Sequence, residues 1–272
     1  MTAPLVVLSL ALMLVYATLS LHYVGHWRGR GLLPRHPRRE HTLLGFVLLV
    51  HAFAVLSPLA EGPWVSLGVG RTLAVVAWLM LLIYWTCGFF YRVEGLQLFM
   101  MPFAIVTLAF AMVFPGSHVV HDLSNPAFAL HILVSMVAYS LFAIAAMVAI
   151  LMLILDKALH RKQTLALARH LPPLLSLERM MFQILMVGFL LLTVSLLSGV
   201  VFSEEVFGQP AALTHKTVFA VVSWLIFGAL LAGRQFKGWR GKLAVRWALS
   251  GFGFLLLAYI GSKVVLELVL QK

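Results

Sequence analysis

Three of the eleven histidines stand where an imidazole is costly to keep: His51, His131 and His215. An ionisable side chain inside a membrane-length apolar run is expensive and marks a functional site by default. His131 falls in the opening turns of such a run, at the end of the stretch His118–Tyr139 (HVVHDLSNPAFALHILVSMVAY), which contains no Lys or Arg. His215 opens another apolar run, after a loop with two glutamates and no basic residue. The expectation is that these two imidazoles face each other across a shallow site at the outer membrane surface. Two neutral imidazoles can hold one heme iron from opposite sides, and a cleft of aromatic and Met side chains would suit the flat apolar ring. Alternatively, each hydrogen-bonds a lipid headgroup or the opposite loop. Ser135 and Tyr139 follow His131 at steps of four and share its face. They line such a site, or they are hydrogen-bonding residues of helix packing. His51 sits mid-run, as an intramembrane relay or transient ligand, or as a neutral ring bonded between helices.

The remaining histidines carry weaker signals. His118 and His121 have the i,i+3 spacing that could hold a metal if helical. His36, His41, His160 and His170 lie on basic segments and are read as solvated, while His22 and His26 flank the inner end of the first apolar run. One cysteine, Cys87, excludes a disulfide, a CxxC pair or a cysteine-based zinc site within the chain. Any thiol chemistry therefore needs a partner's cysteines. No nucleophile–base pair or metal-hydrolase motif is present, so a classical enzyme is not expected.

The elements that must position these residues are long and apolar. The chain is 62% hydrophobic and 11% charged, where a soluble domain carries about 25% charge. Nearly all of it lies in hydrophobic runs, which predicts one all-α integral membrane domain over 1–272. Its eight transmembrane helices are expected near 4–22, 42–59, 72–90, 96–114, 128–155, 180–202, 215–232 and 247–270. A helix needs about 20 apolar residues to cross the ~30 Å hydrocarbon core. Closed barrels are the other way to satisfy a backbone in lipid, and the long non-alternating runs exclude them. Between the spans, Asp156–Arg179 suggests a surface helix before Pro172-Pro173, and Gly233–Arg246 a basic loop. Gly188, Ser198 and Gly199 in the sixth span fit close helix approach.

Charge orients the bundle. Sixteen of the twenty Lys and Arg fall in four alternate segments, leaving Arg71, Lys216, Lys263 and Lys272 on the other side. The positive-inside rule then puts both termini outside, which is periplasmic in a Gram-negative inner membrane. The formal charge of +11 belongs to these loops, where it attracts anionic lipid headgroups; a nucleic-acid partner is not implied.

Several motifs resemble one family. HILVSMVAYSLFAIA (131–145), LPPLLSLERMMFQILMVGFLLLTVSLLSGVVF (171–202), and HKTVFAVVSWLIFGALLAGR followed by GWRGKLA match in order and spacing over about half the chain. They are similar to the cytochrome c assembly family, the heme-handling CcsA/CcmC-type membrane proteins. The resemblance implies eight helices and outer-facing histidines that ligate b-type, non-covalent heme on either side of a tryptophan-rich loop. It also implies apocytochrome or thiol-redox partners. His131 matches the first outer histidine and His51 the intramembrane one. The family's WGxxWxWDPK-type loop corresponds here to VFGQPAALTHK (206–216), with Phe207, Ala211, Leu213 and Thr214 at the tryptophan and aspartate positions. No histidine matches the second outer ligand near the eighth span, and His215 is a substitute on location alone. The departure most resembles the YpjD-like inner-membrane branch.

The expected function is heme binding or transfer at the outer face. Two rivals come from other classes: a small-solute or ion transporter working through His51, and a non-catalytic partner protein with a lipid-binding outer pocket. Against transport, no inverted repeat or paired helix break is evident.

Overall fold

A computed structural model describes residues 3–31, 34–57, 65–66, 68–91, 95–114, 119–120, 125–160, 171–201 and 215–261. The helices are α1 (Ala3–Trp27), α2 (Pro37–Leu56), α3 (Val69–Cys87), α4 (Gln97–Val113), α5 (Pro126–His160), α6 (Leu174–Val201), α7 (His215–Lys237) and α8 (Gly241–Leu256). A π-helical turn, Leu257–Gly261, continues α8. Seven of the eight are long and apolar enough to cross a membrane, and α4 is a shorter apolar helix. The expectation of a polytopic all-α protein with about eight apolar helices holds. The described residues add only a two-residue antiparallel ladder, in which β1 (Val65–Ser66) pairs with β2 (Val119–Val120). The helices fall into two compact units, Met1–Val120 with Leu155–Pro173, and His121–Ile154 with Leu174–Lys272.

In the first unit, α1 shows how a helix apolar all round still selects a packing face. Its buried residues are Leu5, Ser9, Leu12, Tyr16, Leu19, Tyr23 and Trp27, at steps of three and four. Val7, Leu14 and Leu21, seven apart, are exposed, as side chains facing lipid would be. The α1–α2 corner is tied by one carboxylate. Glu40 accepts from His22 Nε2 at 3.3 Å, Arg35 Nε at 3.3 Å and the His36 backbone N–H at 3.0 Å. Pro37 opens α2 at its first helical position, where its missing N–H costs nothing. Indole donors join α2 to α3: Trp78 Nε1 bonds Leu48 O at 3.0 Å and Trp85 Nε1 bonds His41 O at 2.9 Å. His41 also stacks on the Trp85 ring, with centroids 5.2 Å apart, so it is packed rather than merely solvated. Between α3 and α4, Tyr84 donates to Gln97 Oε1 at 3.1 Å.

In the second unit, aromatic contacts set the spacing. Phe142 of α5 stacks on Phe227 of α7 with centroids 4.0 Å apart. Trp224 of α7 donates to Thr193 Oγ1 of α6 at 2.8 Å, and Ser223 donates to Gly251 O of α8 at 2.8 Å. Gly188 lies against Phe142, so that a Cβ there would meet the ring at 3.2 Å. This is the close helix approach expected from the sequence.

The expected basic loop 233–246 is mostly helix. α7 runs on to Lys237 and α8 begins at Gly241, leaving three linking residues. Gly238 and Gly241 take φ of +65° and +61°, the left-handed conformation that lets so short a link reverse the chain. Long basic side chains can ride on helix ends while their charges reach water, so basic composition does not by itself mark a loop. Of the surface helix expected after Asp156, residues 156–160 are the end of α5 and 161–170 lie outside the described residues.

Candidate functional site

α5 starts where its sequence says it should. The Asn125 side chain accepts from the Ala127 N–H at 3.0 Å and the Phe128 N–H at 3.4 Å, and Pro126 follows as the first helical residue. This cap fixes the helix start five residues before His131. Phe128, buried, stacks roughly parallel to the His131 ring at 6.3 Å.

His131 is half-buried and turned toward α6. Its Nδ1 lies 2.7 Å from Ser198 Oγ. One turn further along α5, Ser135 donates to the His131 carbonyl at 2.7 Å and meets Ser195 Oγ at 2.6 Å. Ser198 in turn donates to Ser195 O at 3.1 Å. The approach of α6 is close here: a Cβ on Gly199 would touch His131 Cε1 at 3.4 Å. His131, Ser135, Ser195 and Ser198 therefore form one polar cluster near the start of α5 and the end of α6. Tyr139, the next residue on that face, instead meets the Tyr259 ring edge-on at 5.8 Å.

His215 is the exposed first residue of α7. Among the described residues, no hydrogen bond or ring contact joins it to His131. His118, His121 and the run 206–214 lie outside the described residues. Among those that are described, no group of three or more His, Cys, Asp or Glu gathers to hold a metal ion.

His51 is fully buried in the first unit. Its Nδ1 bonds Tyr16 OH of α1 at 2.9 Å, and the two rings meet edge-on at 5.6 Å. Its Nε2 has no hydrogen-bond partner. Of the two readings of this residue, a relay or a neutral ring bonded between helices, the bond of the second is present. A surface groove of about 520 Å³ lies along the opening of α2, lined by Arg38, Arg39, Thr42, Leu43 and Phe46 and by none of the candidate histidines. Replacing Tyr16 with Phe leaves both ring nitrogens of His51 unpaired and is expected to cost about 1 kcal/mol. Coupling it with His51→Leu should recover much of that loss, which unfolding of the detergent-solubilised double variant would measure.

Tyr16 and Ser195 are partners that the sequence reading did not single out. A serine pair at i,i+3 ending in Ser-Gly is the one local signal that could have pointed to Ser195 and Ser198.

Residues 41–270 match the family model described as cytochrome C assembly protein. The chain belongs to the cytochrome c assembly family. Within it, the chain is 35% identical over 167 residues to the inner membrane protein YpjD of Escherichia coli K12, covering 61% of this chain and 62% of YpjD. It is 36% identical over 89 residues to the cytochrome c biogenesis protein CcsA of Prochlorococcus marinus NATL1A, covering 33% of this chain and 28% of that one. The CcsA of Chlamydomonas reinhardtii is 30% identical over 138 residues, covering 51% of this chain and 38% of its own. The matches thus span about three fifths of YpjD and less of the CcsA proteins. Spanning-length helices and the likeness to YpjD identify this family member as a multi-pass inner-membrane protein.

Proposed function

We propose that this protein binds and hands on heme for cytochrome c assembly, with His131 as an axial ligand at the periplasmic rim. Membership of the cytochrome c assembly family and the likeness to proteins named for cytochrome c biogenesis support the assignment. The observation that carries it is the hold on one ring nitrogen of His131. Its Nδ1 is engaged by Ser198 Oγ at 2.7 Å, and among the described residues Nε2 makes no hydrogen bond. Metal-bound histidines are ordinarily arranged this way, one nitrogen anchored and the other presented. The residues therefore fit one axial position. His215, exposed at the head of α7, is assigned the second. Bound there, heme would supply an iron that takes neutral imidazole nitrogen as ligand.

The chain's own residues do the rest. Ser198 orients the His131 ring, Ser135 and Ser195 form the polar floor beneath it, and Tyr139 closes the apolar wall deeper in the helix. Both termini and the head of α5 are assigned to the periplasmic side by the distribution of basic residues. Membrane lipids surround the exposed apolar faces. Covalent attachment of heme to an apocytochrome would use the partner's thiols, since this chain has only Cys87.

Hemin titration of the purified detergent-solubilised protein, followed by absorption in the Soret region, tests the assignment. His131→Ala is expected to abolish the low-spin signal, and His215→Ala to weaken it and change the spin state. A His131→Ala protein that binds hemin like the parent overturns the reading.

A further inference from the structure

We propose that Ser198 is a positioning residue that locks His131 in the Nδ1–H tautomer, leaving the Nε2 lone pair free for a metal. The inference rests on the reading of His131 as an axial ligand, and the cluster's protons lead to it. Ser135 donates its hydroxyl hydrogen to His131 O at 2.7 Å. With that hydrogen on His131 O, the Ser135 oxygen is assigned as acceptor across the 2.6 Å contact and Ser195 as its donor. Ser198 donates its one hydrogen to Ser195 O at 3.1 Å. With that hydrogen on Ser195 O, we assign the Ser198 oxygen as the acceptor of the 2.7 Å contact with His131 Nδ1. A neutral imidazole carries one N–H, so a proton on Nδ1 leaves Nε2 bare. Each hydroxyl donates once in this arrangement, and α6, through the Ser198 hydrogen on Ser195 O, sets the tautomer of a ring carried by α5.

The same contacts fix the ring's direction. Phe128 lies parallel to one face at 6.3 Å, and Gly199 leaves room at Cε1, where a Cβ would sit at 3.4 Å. Rotating the imidazole to present Nδ1 instead would break the 2.7 Å bond to Ser198. An anchored imidazole is also a better donor to a metal, because a hydrogen bond from its distal N–H raises its basicity. A purely structural serine pair would hold α5 against α6 without preferring either tautomer.

The test uses the full-length protein in detergent with selectively ¹⁵N-labelled histidine, without heme and then with hemin. In the heme-free protein, His131 is expected to show a protonated Nδ1 and an unprotonated Nε2. Ser198→Ala is expected to move the proton to Nε2 and to weaken hemin binding about 10–100-fold, while Ser198→Thr, which keeps the hydroxyl, restores both. A proton found on Nε2 of His131 in the parent protein overturns the proposal, whether or not the Ala variant folds. So does a Ser198→Ala protein with parental tautomer and affinity. Failure of the axial-ligand reading looks different: His131→Ala would then leave hemin binding unchanged.

Discussion

Replacing Glu178 with Ala is expected to lower the stability of the protein by about 2–4 kcal/mol. Glu178 is buried near the start of α6 and accepts from Arg234 Nη1 of α7 at 2.8 Å and from the Gly241 backbone N–H of α8 at 2.8 Å. One carboxylate thus joins three helices at the point where the chain reverses. Arg234 also donates to Trp239 O at 3.3 Å and lies 4.7 Å over the Phe182 ring, so its position is over-determined and it cannot simply swing away. Because Arg234 is about a third exposed (35%), water recovers part of its loss, which keeps the estimate below that for a fully buried pair. Glu178→Gln keeps an acceptor for Gly241 but not the charge, and should cost roughly half as much. Thermal or chaotrope unfolding of the solubilised variants measures both. A Glu178→Ala protein as stable as the parent would mean that the junction is held by its indoles, Trp239 and Trp247, whose rings lie 5.0 Å apart.

A single methyl group added at Gly70 is expected to destabilise the first unit by about 3 kcal/mol. A Cβ there would lie 2.6 Å from Phe114 O and 2.7 Å from Ala111 Cα. These are backbone atoms, so no side-chain rotation relieves the overlap, and α3 and α4 must move apart. Gly253→Ala is the matched control, since a Cβ on this α8 glycine meets nothing within 4 Å. There the methyl should be neutral or slightly stabilising, as alanine is the better helix former. If both variants unfold together with the parent protein, the close approach of α3 and α4 at Gly70 is wrong.

The two substitutions illustrate how unevenly this protein can be read from its residues. Neither glutamate hub has a sequence mark. Glu40 and Glu178 lie in basic stretches and look like ordinary loop charges, yet each gathers donors from more than one element. Gly70 and Gly253 are likewise indistinguishable as letters, and only the neighbouring backbone separates them. His131 and Ser135 were legible as one face because helical spacing is local. Ser195 and Tyr16 were not, because their partners lie 60 and 35 residues away.

What the sequence determined by itself is the number and character of the helices, and that a single cysteine forms no disulfide within the chain. In lipid an unbonded peptide group has no water to turn to, so a sufficiently long apolar run must become a helix whatever its neighbours. Only the tertiary structure decided which face of each helix packs. Leu, Val and Phe occupy buried and exposed positions alike, since hydrocarbon rewards both equally and the alternation that betrays a soluble helix is missing. The few polar side chains choose partners that lie far away along the chain, as Ser198 does for His131, and only the packed helices bring them together.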